Sequence, residues 1–164
     1  MSIKHLRALS LNPHLMGKFI QNFLDGYGRP TDLMITFYVL PIILYKDSRN
    51  KLSSANTRSS LESLFRNKDI YDNNENLRLS GKVNLAGLVD RYDELKNCTK
   101  QAIIILSNEK KIKFGTEIIL LSTDKYDNYK GNIRTFLKAA YYLGIVFSKT
   151  TREYLDSFLG VKAG

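Results

Sequence analysis

Apolar positions 15–27 fall on one side of a helix. Leu15, Met16, Phe19, Ile20, Phe23, Leu24 and Tyr27 stand at i, i+1, i+4, i+5, i+8, i+9 and i+12, a wide stripe at helical period. Asn12-Pro13 opens this helix, since asparagine caps well and proline at the first position gives up an N–H that has no partner there. Gly26, Gly28 and Pro30 are its expected stop. Thr31-Asp32 then caps a second helix to about Lys46, apolar almost all round and bent at Pro41, where a backbone hydrogen bond is lost. The polar stretch 47–56 reads as a loop, and Thr57 to Asn67 as a short third helix burying Leu61, Leu64 and Phe65. Residues 68–81 read as a loop and as a hinge between this helical part and the remainder of the chain.

Leu85, Leu88, Val89, Tyr92 and Leu95 predict a fourth helix, about Val83 to Asn97, and a fifth runs from Thr99 to about Asn108. The period then changes. Lys111-Ile112-Lys113-Phe114 alternates, Gly115-Thr116 signals a two-residue II′ turn, and Glu117 to Ser122 is rich in β-formers, which together predict a hairpin over 111–122. Two helices followed by a hairpin is the order of a winged-helix unit. After a polar linker at 123–130, a long helix from Gly131 to Ser148 carries Ile133, Phe136, Leu137, Ala140, Tyr141, Leu143, Gly144 and Phe147 on its apolar side. Thr150 and Glu153 form a capping box for a last helix that buries Tyr154, Leu155, Phe158 and Leu159 and ends at Gly160. The expected fold is mainly α: one compact domain over 1–164, with a helical part at 1–67, a winged-helix-like centre at 82–122 and a C-terminal helix pair at 131–160.

With 164 residues, 43% of them hydrophobic, the chain can bury a core without staples. The lone Cys98 excludes a disulfide framework, and His5 and His14 are too few for histidine-based metal chemistry. Cys98 stands before an expected helix start, where a helix dipole lowers a thiol pKa, but no histidine is near in sequence to use it. Asp90, Asp93 and Glu94 put three carboxylates within one helical turn and a half, beside Arg91 and Lys96 as a charge-paired polar face. No phosphate-binding glycine motif and no metalloprotease, redox or hydrolase motif occurs. No catalytic, cofactor-binding or metal-ligating residue is therefore assigned. Leu33 to Tyr45, about thirteen residues and broken by Thr36 and Pro41, falls short of the about 20 that a membrane span takes. No apolar run follows Lys4 and Arg7, so no signal peptide is expected and the expected location is cytoplasmic.

The net charge of +9 invites a polyanion, yet the excess is spread along the chain with no run of five like charges. The helix ahead of the hairpin offers only Thr99, Lys100, Gln101, Ser107 and Asn108 for base reading, a poor set for the major groove. Lys100, Lys110, Lys111 and Lys113 are the candidate contacts to a nucleic-acid backbone, non-specific in kind, with Arg91 a further one. Ten tyrosines and eight phenylalanines, grouped as Phe37-Tyr38, Tyr141-Tyr142 and Tyr126 with Tyr129, favour protein contact instead.

Several segments carry a resemblance in their order: Asn12-Pro13, Leu40-Pro41, Thr57-Arg58-Ser59-Ser60-Leu61, Leu143-Gly144-x-x-Phe147-Ser148-Lys149, and Tyr154 to Leu159 with Gly160-Val161. Together they resemble the middle component of bacterial three-component ABC-ATPase systems, which look like conflict or defence modules. The resemblance covers most of the chain and is poorest at 67–82. It implies a non-enzymatic adaptor with winged-helix-like structure that links an ABC-type ATPase to an effector protein. It offers no catalytic residues. Helix 32–46 and the C-terminal helix pair are the expected docking surfaces, with Arg58 anchoring the start of helix three. The rival reading is a basic winged-helix DNA-binding protein.

Overall fold

The computed structural model describes residues 11–65, 70–71, 74, 77–79 and 85–160. Helix α1 (Pro13–Tyr27) opens as its sequence dictates: Asn12 Oδ1 accepts the His14 N–H at 2.8 Å, and Pro13 takes the first turn. Gly28, at φ +76°, closes it by donating its N–H to the Leu24 carbonyl. Gly26 is no stop. It lies inside the helix, against the backbone of α6 (Gly131–Phe147): a Cβ on Gly26 would sit 1.9 Å from the Tyr141 carbonyl oxygen, and one on Gly144 2.1 Å from that of Phe23. Glycine serves here to let two helices touch backbone to backbone. Phe23 meets Phe147 edge-on at 5.7 Å and Phe19 stacks on Phe136 at 5.4 Å along the same seam.

The expected second helix is three pieces. Thr31–Asp32 form strand β1; Leu33–Tyr38 form a 3-10 helix whose N–H at Met34 is capped by Asp32 Oδ1; α2 is only Val39–Ile43. Pro41 explains the division, because it tolerates the first turn of an α-helix but not the interior of a longer one. The stretch expected as a loop contains α3 (Lys46–Ser53), where the buried residues are Ser48 and Leu52. Ser48 Oγ donates to the Ile42 carbonyl at 2.5 Å and Arg49 to that of Ile43 at 2.9 Å, so α3 satisfies carbonyls left open at the end of α2. Helix α4 (Leu61–Phe65) starts later than expected and buries Leu61, Leu64 and Phe65. Most of the expected hinge at 68–81 lies outside the described residues; within it, β2 (Ile70–Tyr71) and β3 (Leu77–Leu79) pair antiparallel.

The expected fourth and fifth helices are one rod, α5 (Leu88–Asn108), 21 residues without a break. Neither glycine nor proline interrupts it, and Thr99, expected near a start, is buried in its middle. Strands β4 (Ile112–Lys113) and β5 (Glu117–Leu120) come next, and β1 pairs on the far edge of β5, giving the order β1-β5-β4. Ile112 faces Leu120 and Lys113 faces Ile119, a register that excludes the two-residue turn, and Gly115 is not among the glycines at positive φ that a II′ turn needs. Burial decides the register: it puts Ile112, Ile118 and Leu120 on one face, where Ile112 and Ile118 are sealed, and one residue of slip would turn Ile118 outward.

The polar segment after β5 is pinned to α1. Gln21 donates to the Ser122 carbonyl at 2.8 Å, Asn22 to that of Asp124 at 3.0 Å, and the Lys18 ammonium to Asp124 at 3.0 Å and Tyr129 at 2.8 Å. Helix α7 (Arg152–Leu159) is capped by Thr151, one residue later than expected, and ends at Gly160. Tyr154, expected in the core, is 40% exposed because α7 turns only Leu155, Phe158 and Leu159 inward. One apolar core runs through α1, α2, α5, α6 and α7 and takes in Ile112 and Ile118 from the sheet.

Candidate interaction surface

Helix α5 packs inward through Leu88, Tyr92, Leu95, Thr99, Ala102, Ile103 and Leu106. At 100° per residue Ile104 falls opposite that stripe, and its side chain is 57% exposed. It shares the outer face with Asn97, Lys100, Gln101 and Asn108, all exposed. Phe114, between β4 and β5, is 56% exposed and reaches the same face. Ile103, Ile104, Ser107, Asn108 and Phe114 line a shallow groove of about 160 Å³. Reading 102–106 as one apolar run hides Ile104 in the core. The position becomes visible only when 88–108 is phased as a single helix.

The candidate lysines separate into two kinds. Lys100 lies one turn before Ile104, Lys113 is on the outer face of β4, and Lys110 occupies the left-handed region at φ +59°; all three are exposed and form no ion pair among the described residues. Lys111 is half-buried and pairs with Glu109 at 2.9 Å, and Glu109 also meets His14 Nδ1 at 3.2 Å. The Lys111 and His14 contacts hold the Glu109 carboxyl below its ordinary value, the Lys111 hydrogen bond foremost. Arg91 does not join this face. It is 8% exposed, donates from Nε to the Pro41 carbonyl at 2.9 Å and from Nη1 to that of Ala86 at 2.5 Å, and lies 3.9 Å from the Tyr45 ring centre. Its charge is spent on holding α5 to α2, and Tyr92 beside it is buried as well.

The other expected positions also fall differently. Asp90, Asp93 and Glu94 are exposed; Asp93 pairs with Lys96 at 3.3 Å, and Asp90 borders the apolar hollow formed with Leu85, Val89 and Phe158. Cys98 is half-buried in the middle of α5 and not at its start. Among the described residues no three His, Cys, Asp or Glu side chains converge, and no helix is long and apolar enough to cross a membrane.

Of residues 32–46, expected to dock a partner, 35–44 are buried within the chain's own core. The 3-10 turn and α2 lie beneath α5 and α6, which consume their apolar surface. The C-terminal pair leaves Ile133 and Tyr154 outside and a half-buried cluster of Tyr126, Tyr141 and Tyr142, with Lys125 over two of these rings at 5.7 and 4.9 Å. Arg58 is exposed, and it is Lys149 that anchors the start of α4, donating to the Thr57 and Ser59 carbonyls at 2.6 and 2.7 Å. Two distant segments that carry the resemblance, Thr57 to Leu61 and Leu143 to Lys149, thus meet in space.

Residues 1–163 match the family model described as ABC-three component (ABC-3C) system Middle Component 3. No curated protein and no solved structure matches the chain.

Proposed function

The chain belongs to the ABC-three component system Middle Component 3 family, and we propose that it is a non-enzymatic adaptor that joins the system's ABC-type ATPase to its effector protein. The match over nearly the whole chain carries this reading, because a middle component implies components on either side. The surface agrees with it: exposed apolar side chains beside lysines that have no ion-pair partner among the described residues suit contact with another protein. An ATPase that changes state acts on the effector through such a bridge only if the bridge binds the two states unequally. A bacterial defence role in the cytoplasm is part of the proposal. So is a winged-helix-like centre, supported by the order α1-β1-α2, then α5-β4-β5, with β1 closing on β5.

The second reading is DNA binding by α5 and the hairpin, favoured by the exposed Lys100, Lys110 and Lys113. Co-purification of the tagged chain from its native gene neighbourhood, with nuclease and at moderate salt, separates the two. A stoichiometric ABC-type ATPase is the expected result. Recovery of the chain alone, with DNA binding that weakens steeply as salt rises, defeats the adaptor.

A further inference from the structure

We infer that the groove between α5 and the β4–β5 turn receives an acidic amphipathic segment of a partner component, one large apolar side chain flanked by carboxylates. This rests on the adaptor reading and names the chemistry of the contact. Ile104 and Phe114 are more than half exposed although both are large and apolar, and they frame a groove of about 160 Å³ with Ser107 and Asn108 as its polar edge. Its surroundings are basic. Lys100 lies on the Ile104 stripe of α5, Lys113 ends β4 directly before Phe114, and Lys110 stands in the link from α5 to β4, none of them with an ion-pair partner among the described residues. Glu109 is already held by Lys111 and His14, and Glu117 opens β5 on the far side of the turn. An apolar centre with an unanswered positive rim is complementary to an apolar side chain among carboxylates. It is ill-matched to a nucleic acid, whose phosphates gain nothing from Ile104 near the end of the helix and whose base edges are read mainly by polar side chains.

Two variants test this in the system co-expressed from its own gene neighbourhood. Ile104→Ser with Phe114→Ser removes the apolar centre; Lys100→Glu with Lys110→Glu and Lys113→Glu reverses the rim while leaving the groove. Unfolding of each isolated variant is followed by circular dichroism, and the rim variant, whose three positions are all exposed, stands in should the first not fold. The expected result is that both lose one component of the assembly by roughly tenfold or more, and that the wild-type contact weakens with salt. Undiminished recovery of every component by both variants overturns the inference and leaves the adaptor standing. Failure of the wild type to recover any component removes the adaptor reading itself. Loss of DNA binding with partner recovery unchanged assigns the groove to nucleic acid, and loss of self-association in light scattering assigns it to a second copy; either result overturns the inference.

Discussion

The seam between α1 and α6 and the outer face of α5 use large apolar side chains to opposite ends. At the seam Gly26 and Gly144 remove every atom between two backbones, and Phe19, Phe23, Phe136 and Phe147 pair ring to ring. Nothing there is left over. On α5 Ile104, and beside it Phe114 from the β4–β5 turn, stand in water near lysines that have no ion-pair partner among the described residues. A fold that packs one side to van der Waals contact does not lack the means to bury two more apolar side chains, so their exposure belongs to something other than stability. Substitutions at the two places are expected to separate accordingly.

The largest effect is at the seam. Gly144→Ala places a methyl 2.1 Å from the Phe23 carbonyl oxygen and 2.7 Å from the Tyr27 nitrogen, so α1 and α6 must part along their length. A loss of about 3 kcal/mol or more is expected in urea unfolding, and Gly26→Ala is expected to do the same. A loss under about 1 kcal/mol in either would mean that the helices slide apart freely and the seam is not the rigid part of the molecule. Arg91→Met comes next. It preserves bulk but strands the Pro41 and Ala86 carbonyls and the face of Tyr45, for an expected loss of about 2 kcal/mol. Arg91→Lys is expected to rescue little of it, since one ammonium cannot reproduce a fork that serves two carbonyls and a ring.

Gly26 itself explains why the seam is only half legible in the sequence. A glycine two residues before another glycine reads as punctuation, and only the partner helix reveals that it is a contact. Helix α1 with its Asn12-Pro13 opening, α6, the Gly160 stop and the burial of Leu61, Leu64 and Phe65 are all legible, because cap chemistry and period are local. Helix α3 is not: Ser48 and Leu52 are its buried residues, and a hydroxyl that answers the Ile42 carbonyl leaves no apolar signature. On the outer face, charge alone points to Lys100, Lys110 and Lys113, whereas Ile104 is lost when a helix boundary is placed inside α5. Arg91 is misplaced for the converse reason: a charged residue reads as surface, although its hydrogen bonds run to carbonyls fifty and five positions away.

Between these extremes lies the polar side of α1. Burial raises the Asp124 carboxyl, but hydrogen bonds from Tyr129 and Lys18 more than offset it and hold the group below its ordinary value of 3.8. The hydrogen bond to Tyr129 likewise raises Lys18, against a smaller opposing effect of burial. A depressed carboxylate contributes stability that is present above its unfolded pKa and is lost as pH falls through the folded one. Asp124→Asn is therefore expected to lower stability near neutrality by at most about 1 kcal/mol, as befits a partly exposed pair. It is also expected to flatten the decline of melting temperature below about pH 4. A wild-type and variant decline of equal slope would show that ionisation of Asp124 contributes nothing to holding the segment after β5.

The smallest effect on stability is expected where the proposed contact is made. Ile104→Ser and Phe114→Ser each remove an apolar side chain that is more than half exposed in the folded chain, so most of its transfer free energy was never gained on folding. Ile104 also lies opposite the buried stripe of α5, where a serine leaves no cavity and a helix accepts it with only a small propensity loss. Each variant is expected to unfold within about 0.5 kcal/mol of the wild type. Chemical denaturation of the isolated chain decides this. A loss above about 1 kcal/mol for Phe114→Ser would mean that the ring braces the turn between β4 and β5, tying the face to the fold as Gly144 is tied to the seam. Near-neutral values for both leave Ile104 and Phe114 without a structural reason to be apolar, and that reason then lies in what covers them.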